Sequence, residues 1–156
     1  MTLRSIAGGI SSSSQGQPNG VATLNAAGKI PPAQTTYASA DAVTQAANIG
    51  ATTVYAVPTS GMYRVEAYAV VTQAATTSST LPNVGLLWTD SDSNTPLSAT
   101  TLTPTNAANA LGAFGNAVTV ISAKSGTNIQ YQTSNYASSG ATPMQYAVHI
   151  RVEFLG

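Results

Sequence analysis

The side chains able to do acid, base or metal chemistry are few. His149 is the single histidine, the commonest proton-transfer residue type, and the carboxylates are Asp41, Glu66, Asp90, Asp92 and Glu153. Glu66 and Glu153 are the pair a two-carboxylate mechanism would need. Each, however, sits two residues from an arginine, Arg64 or Arg151, in a repeated Arg-Val-Glu triplet, and that neighbourhood favours structural ion pairs. The chain has no cysteine, which removes thiolate nucleophiles, thiolate metal ligands and disulfides. It also has no Gly-x-Ser-x-Gly elbow for a hydrolase serine and no glycine-rich nucleotide loop. Asp90-Ser91-Asp92-Ser93-Asn94-Thr95 opens like a calcium loop, but Thr95 stands where glycine is needed and Thr101 where the bidentate glutamate belongs. Asx-turn bonding accounts for the same residues. The expectation is a protein that is not an enzyme and holds no cofactor and no metal.

Composition points the same way. Only ten of 156 residues are charged, five of each sign, so there is no basic footprint for nucleic acid and no polybasic stretch for a membrane surface. No run of apolar residues is long enough to span a bilayer, and Leu3 to Ile10 is too short and glycine-broken for a secretory signal. The product is expected to stay in the cytoplasm of the cell that makes it until assembly or lysis moves it. With 26 alanines, 22 threonines and 17 serines, small uncharged side chains carry the solubility, and such a surface suits close packing against other protein.

The elements that must position these residues read as strands. In Met62–Val71 the residues Tyr63, Val65, Ala67 and Ala69 face one way and Arg64, Glu66 and Tyr68 the other. Near the C-terminus Val148, Ile150, Val152 and Phe154 alternate with His149, Arg151 and Glu153. If these two strands are antiparallel neighbours, Arg64 faces Glu153 and Glu66 faces Arg151, and the four charges set register, since a slip of one residue would turn them into the core. Further strands are predicted at Thr53–Val57, Asn83–Thr89, Leu97–Thr103, Asn116–Ala123, Asn128–Thr133 and Met144–Leu155. Turn residues fill Thr76–Thr80, Asp90–Pro96, Asn106–Gly115, Lys124–Gly126 and Ala137–Pro143. Residues 51–156 therefore form an all-β, jelly-roll-like β-sandwich domain. Residues 37–50 read as a connector, with a short helix from Ser39 that carries Asp41 in its first turn.

Residues 1–36 differ from the rest: a breaker-rich run from Ser11 to Gly20, the pair Pro31-Pro32, and no apolar periodicity long enough to close a core. They read as an extended N-terminal anchoring arm. Within it, Asn19-Gly20-Val21-Ala22-Thr23-Leu24-Asn25-Ala26-Ala27-Gly28-Lys29-Ile30-Pro31 places two short apolar pieces around a turn. This segment resembles the N-G-x-A-x-L-(D/N)-x-x-G-K-(I/V)-P segment of bacteriophage tail-fibre and virion appendage proteins. The resemblance implies a virion-proximal anchor through Val21, Leu24, Lys29, Ile30 and Pro31; an ordinary hairpin is the other reading of those residues.

The stretches Pro58 to Val65, Leu81 to Val84 with Trp88-Thr89-Asp90, Gly126 to Tyr131 and Met144 to Glu153 resemble a β-sandwich module of phage virion proteins. The layout is also similar, at the level of fold, to the trimeric C1q and tumour-necrosis-factor jelly rolls, in which first and last strands are neighbours. The resemblance implies a virion structural protein and, by analogy of fold, a homotrimer; an arm of about 36 residues is too short for a shaft, which favours a capsid decoration or cement protein that clamps neighbouring subunits of the major capsid protein or another virion protein. The alternative is a short tail-fibre or spike tip that binds a host receptor, with Thr133-Ser134-Asn135-Tyr136 offered to sugar hydroxyls. Tyr37, Tyr55, Tyr68, Tyr131, Tyr136 and Tyr146 are candidate interface anchors or, alternatively, internal packing.

Overall fold

The computed structural model describes residues 37–104 and 109–156. The segment holding Val21, Leu24, Lys29, Ile30 and Pro31 lies outside them. Ten strands follow in order: β1 (Tyr37–Gln45), β2 (Thr52–Ala56), β3 (Gly61–Gln73), β4 (Ser78–Thr80), β5 (Asn83–Thr89), β6 (Pro96–Leu102), β7 (Phe114–Ala123), β8 (Asn128–Ser134), β9 (Ala137–Ser139) and β10 (Gln145–Phe154). The described residues contain no helix. The helix expected from Ser39 is instead β1, which pairs antiparallel with β10, Asp41 opposite His149. Residues 37–45 are alanine, serine and threonine at most positions, and an intrinsically weak segment of this kind takes the conformation that a neighbouring strand's free backbone groups can pair with. Two stretches expected as turns contain the short strands β4 and β9, which pair with each other.

Eight strands build two antiparallel four-stranded sheets, β1-β10-β3-β7 and β2-β8-β5-β6. One core joins them. From the first sheet come Tyr63, Val65, Val148, Ile150 and Val152, and from the second Val84, Leu86, Ile129 and Tyr131, each nearly or wholly buried. Burial of side chains this size is worth roughly 1.5–3 kcal/mol each, so the sandwich needs no help from its few charges. Alternation along β3 and β10 is near-strict, buried residues inward and Arg64, Glu66, Arg151 and Glu153 outward.

Trp88 Nε1 is buried without a partner among the described residues, whereas the hydroxyls of Tyr63, Tyr146 and Thr133 are satisfied. The Tyr63 hydroxyl donates to the Thr59 carbonyl at 2.6 Å, and its ring packs on Phe154 and Tyr55. Tyr146 on β10 donates to the Ala47 carbonyl at 2.7 Å and meets the Thr133 hydroxyl of β8 at 3.0 Å. Thr133 Oγ1 in turn accepts the Ile49 amide at 2.7 Å. One hydroxyl pair thus ties both sheets to the β1–β2 connection.

Candidate functional site

Residues paired across an antiparallel sheet share a face, so the register sets out the outer face of the first sheet as rows. Asp41, His149, Tyr68 and Asn116 form one; Ser39, Arg151, Glu66 and Val118 the next; Glu153, Arg64 and Val120 the third. Five of the eight charged residues in the described part of the chain stand on this one face.

Their partners differ in part from the simplest cross-strand scheme. Arg64 Nη2 lies 2.5 Å from Glu153 Oε2 across the β3–β10 pair, and Arg64 Nε also meets Glu66 on its own strand at 3.2 Å. Arg151 stands opposite Glu66 in register, yet its guanidinium turns to Asp41 on β1, at 3.4 Å. His149 Nδ1 donates to the same Asp41 oxygen at 2.6 Å. That hydrogen bond, with the Arg151 charge in support, holds the Asp41 carboxyl below the usual aspartate range. All these side chains are about half exposed, where ion pairs contribute roughly 0–1 kcal/mol each; they orient the strands more than they stabilise them. Glu66 and Glu153 share Arg64, an arrangement suited to ion pairing and not to proton exchange between two carboxyls.

Beside the charges lies an apolar margin. Val118 is 64% exposed, Val120 and Phe114 50%, Met62 43% and Tyr68 38%. These are five of the nine large apolar side chains left exposed among the described residues. The Tyr68 ring contacts Phe114 and His149, with centroids 5.8 and 6.1 Å apart. A shallow depression of 550 Å³ opens between Glu66, Tyr68, Asn116, Val118, His149 and Arg151. An apolar strip next to oriented polar groups is the chemistry of a protein contact.

The other sequence candidates fall elsewhere. Asp90 Oδ1 accepts the amides of Asp92 and Ser93 and the Ser93 hydroxyl, at 3.1, 2.8 and 2.9 Å. These bonds, led by the Ser93 amide, lower the Asp90 pKa and make the loop an Asx turn; no group of three potential ligands among the described residues is placed to hold a metal. Within Thr133–Tyr136, Thr133 is buried and engaged with Ile49 and Tyr146, while Ser134 and Asn135 are exposed. Tyr136 donates its hydroxyl to the Met144 carbonyl and its amide to Asn48. Of the tyrosines, Tyr131 and Tyr146 belong to the core and Tyr55 and Tyr136 pack against it. Tyr68 is exposed on the face, and Tyr37 stands in β1 opposite Glu153. Sequence reasoning put Asp41 in a helix and not beside His149, and it did not single out the β7 valines; the signal for the latter was a strand apolar at Val118 and Val120 as well as at Ile121 and Ala123, more than a half-buried antiparallel strand requires.

No protein family matches the chain, and no curated protein does. Among solved structures it is similar to a chain in the acidic stable capsid structure of Helicobacter pylori bacteriophage KHP30, with 13% identity and a TM-score of 0.38 over 78% of this chain and 87% of that one.

Proposed function

We propose that the chain is a structural protein of a bacteriophage virion, a capsid decoration protein that trimerises and clamps neighbouring capsid subunits. It acts by binding, with no catalytic step. The observation that carries this reading is the exposed apolar margin of the first sheet beside mutually paired charges, a surface made for another protein. The Asn19–Pro31 segment supports the virion assignment through its resemblance to appendage proteins. Two four-stranded sheets whose first and last strands, β1 and β10, are neighbours support the jelly-roll reading and, by analogy, a trimer of the C1q and tumour-necrosis-factor kind. Linked weak contacts from the arm and the sandwich then multiply through effective concentration, and hydrophobic burial keeps its strength when ionic strength changes, unlike charge pairs.

Counting copies in purified particles tests this. A number that scales with the capsomers supports decoration; a handful per particle points to the tail-fibre or spike alternative and sinks the decoration reading. Deleting residues 1–36 gives the second arm of the test: loss of particle binding with the oligomer intact supports the arm as anchor.

A further inference from the structure

We infer that the β7 margin of the first sheet, centred on Val118 and Val120, is the contact between copies of this chain. The inference goes beyond the trimer proposed above: a strip that meets the same strip on a second copy closes about a two-fold axis, so it supplies a pairwise contact distinct from any three-fold one. Three observations carry it.

The first is apolar exposure where an antiparallel sheet normally presents polar residues to water: Phe114, Val118 and Val120 on β7, with Met62 beside them on β3, are all 43% exposed or more. The second is the strand itself. β7 closes its sheet at one edge, and its ten residues include no charge and no proline and pair with β3 without a bulge. Among the described residues, Asn116 to Ile121 make backbone pairs with β3 alone. Proteins that must keep an edge strand unpaired place lysine, proline or a bulge there, and β7 has none of these.

The third is charge, which selects the occupant. The face bears Arg64 and Arg151 against Asp41, Glu66 and Glu153, most of them already engaged with one another. Nucleic acid and anionic bilayers require a cationic excess, and the excess here is slightly anionic. A strongly charged protein partner gains nothing from charges already paired. A second copy fits: the chain is neutral overall, brings the same apolar strip, and brings the same edge backbone groups.

The test is the mass of the full chain in solution, by light scattering over a range of concentrations, for wild type, Val118→Lys and Ser98→Lys. Ser98 lies exposed on β6 in the other sheet and serves as control. The expected result is an oligomer for wild type and Ser98→Lys. For Val118→Lys the expectation is at least a tenfold rise in the dissociation constant with an unchanged circular dichroism spectrum. Because the chain has no cysteine, Val118→Cys treated with a short bismaleimide reports the contact without relying on the charged variant; it should give covalently linked copies, and Ser98→Cys should not. A monomeric wild type, an oligomer indifferent to Val118→Lys, or no linkage through Val118→Cys overturns the inference. These readouts use the chain alone. An oligomer closed through Val118 in a chain never found on particles would therefore leave the inference standing and refute the virion reading.

Discussion

The hydroxyl relay between the sheets permits a quantitative prediction. Thr133→Val keeps the shape of a side chain that is 6% exposed and deletes the oxygen that accepts the Ile49 amide at 2.7 Å. The stranded, partly buried N–H costs about 1–3 kcal/mol. Tyr146→Phe deletes the donor to the Ala47 carbonyl, at 2.7 Å. Both variants lose the 3.0 Å Thr133–Tyr146 bond, so the difference lies at Ala47, which is exposed: water replaces the donor lost there, and the net value of that hydrogen bond, about 0.5–1.5 kcal/mol, is forfeited in place of a stranded amide. Urea unfolding at a fixed protein concentration measures both. With a slope of roughly 1–3 kcal/mol per molar, the Thr133→Val midpoint falls by about 1 M and the Tyr146→Phe midpoint by less. Amide exchange at Ile49 should accelerate in Thr133→Val. An unchanged midpoint for Thr133→Val, or a larger loss for Tyr146→Phe, would refute the assignment of roles.

Four further outcomes are expected. Asp41 should titrate below the ordinary aspartate value; because its folded pKa is depressed, its stabilising effect is present above the unfolded pKa of 3.8 and is lost as pH falls through the lower folded value. Carbon-detected NMR should show His149→Ala moving that midpoint upward more than Arg151→Ala does. Removing Arg64 or Glu153, whose side chains are 44% and 50% exposed, should cost only about 0–1 kcal/mol and less in high salt. Ile150→Ala, on the buried face of the same β10 strand, should cost about 2–5 kcal/mol by chemical denaturation. Gly140 has a φ of +106°, and a Cβ there would lie 2.8 Å from Thr76 Cβ and 2.9 Å from the Thr77 amide nitrogen. Gly140→Ala should therefore lower the thermal midpoint, with strain of about 1–3 kcal/mol added to the clash.

Much of the sandwich was legible because its strands alternate large apolar and polar residues at a period of two. Asn83–Thr89 has the predicted bounds, and β3 and β10 show the predicted inner and outer faces. β1 was not legible. Ala38, Ala40 and Ala42 form its inward row, and alanine carries too little hydrophobic contrast with the serine and aspartate between them to reveal a strand. The three-residue β4 and β9 are likewise serine, threonine and alanine, the residue types that also build turns.

The sequence by itself determined the chemical inventory: one histidine, five carboxylates, no thiol, and an arginine two residues before each of Glu66 and Glu153. It also determined which side of β3 and β10 must be buried, because alternation is a property of the chain. Which charge meets which was decided only by tertiary structure. Arg151 stands opposite Glu66 yet turns to Asp41, since β1 supplies a carboxylate already held by His149 while Arg64 has claimed both glutamates. The exposure of Val118 and Val120 was a tertiary decision too. A strand with apolar residues on both faces fits a sheet covered on two sides as well as one covered on a single side, and only the packing of the second sheet against the inner face, where Ile121 and Ala123 are buried, leaves Val118 and Val120 without a partner among the described residues.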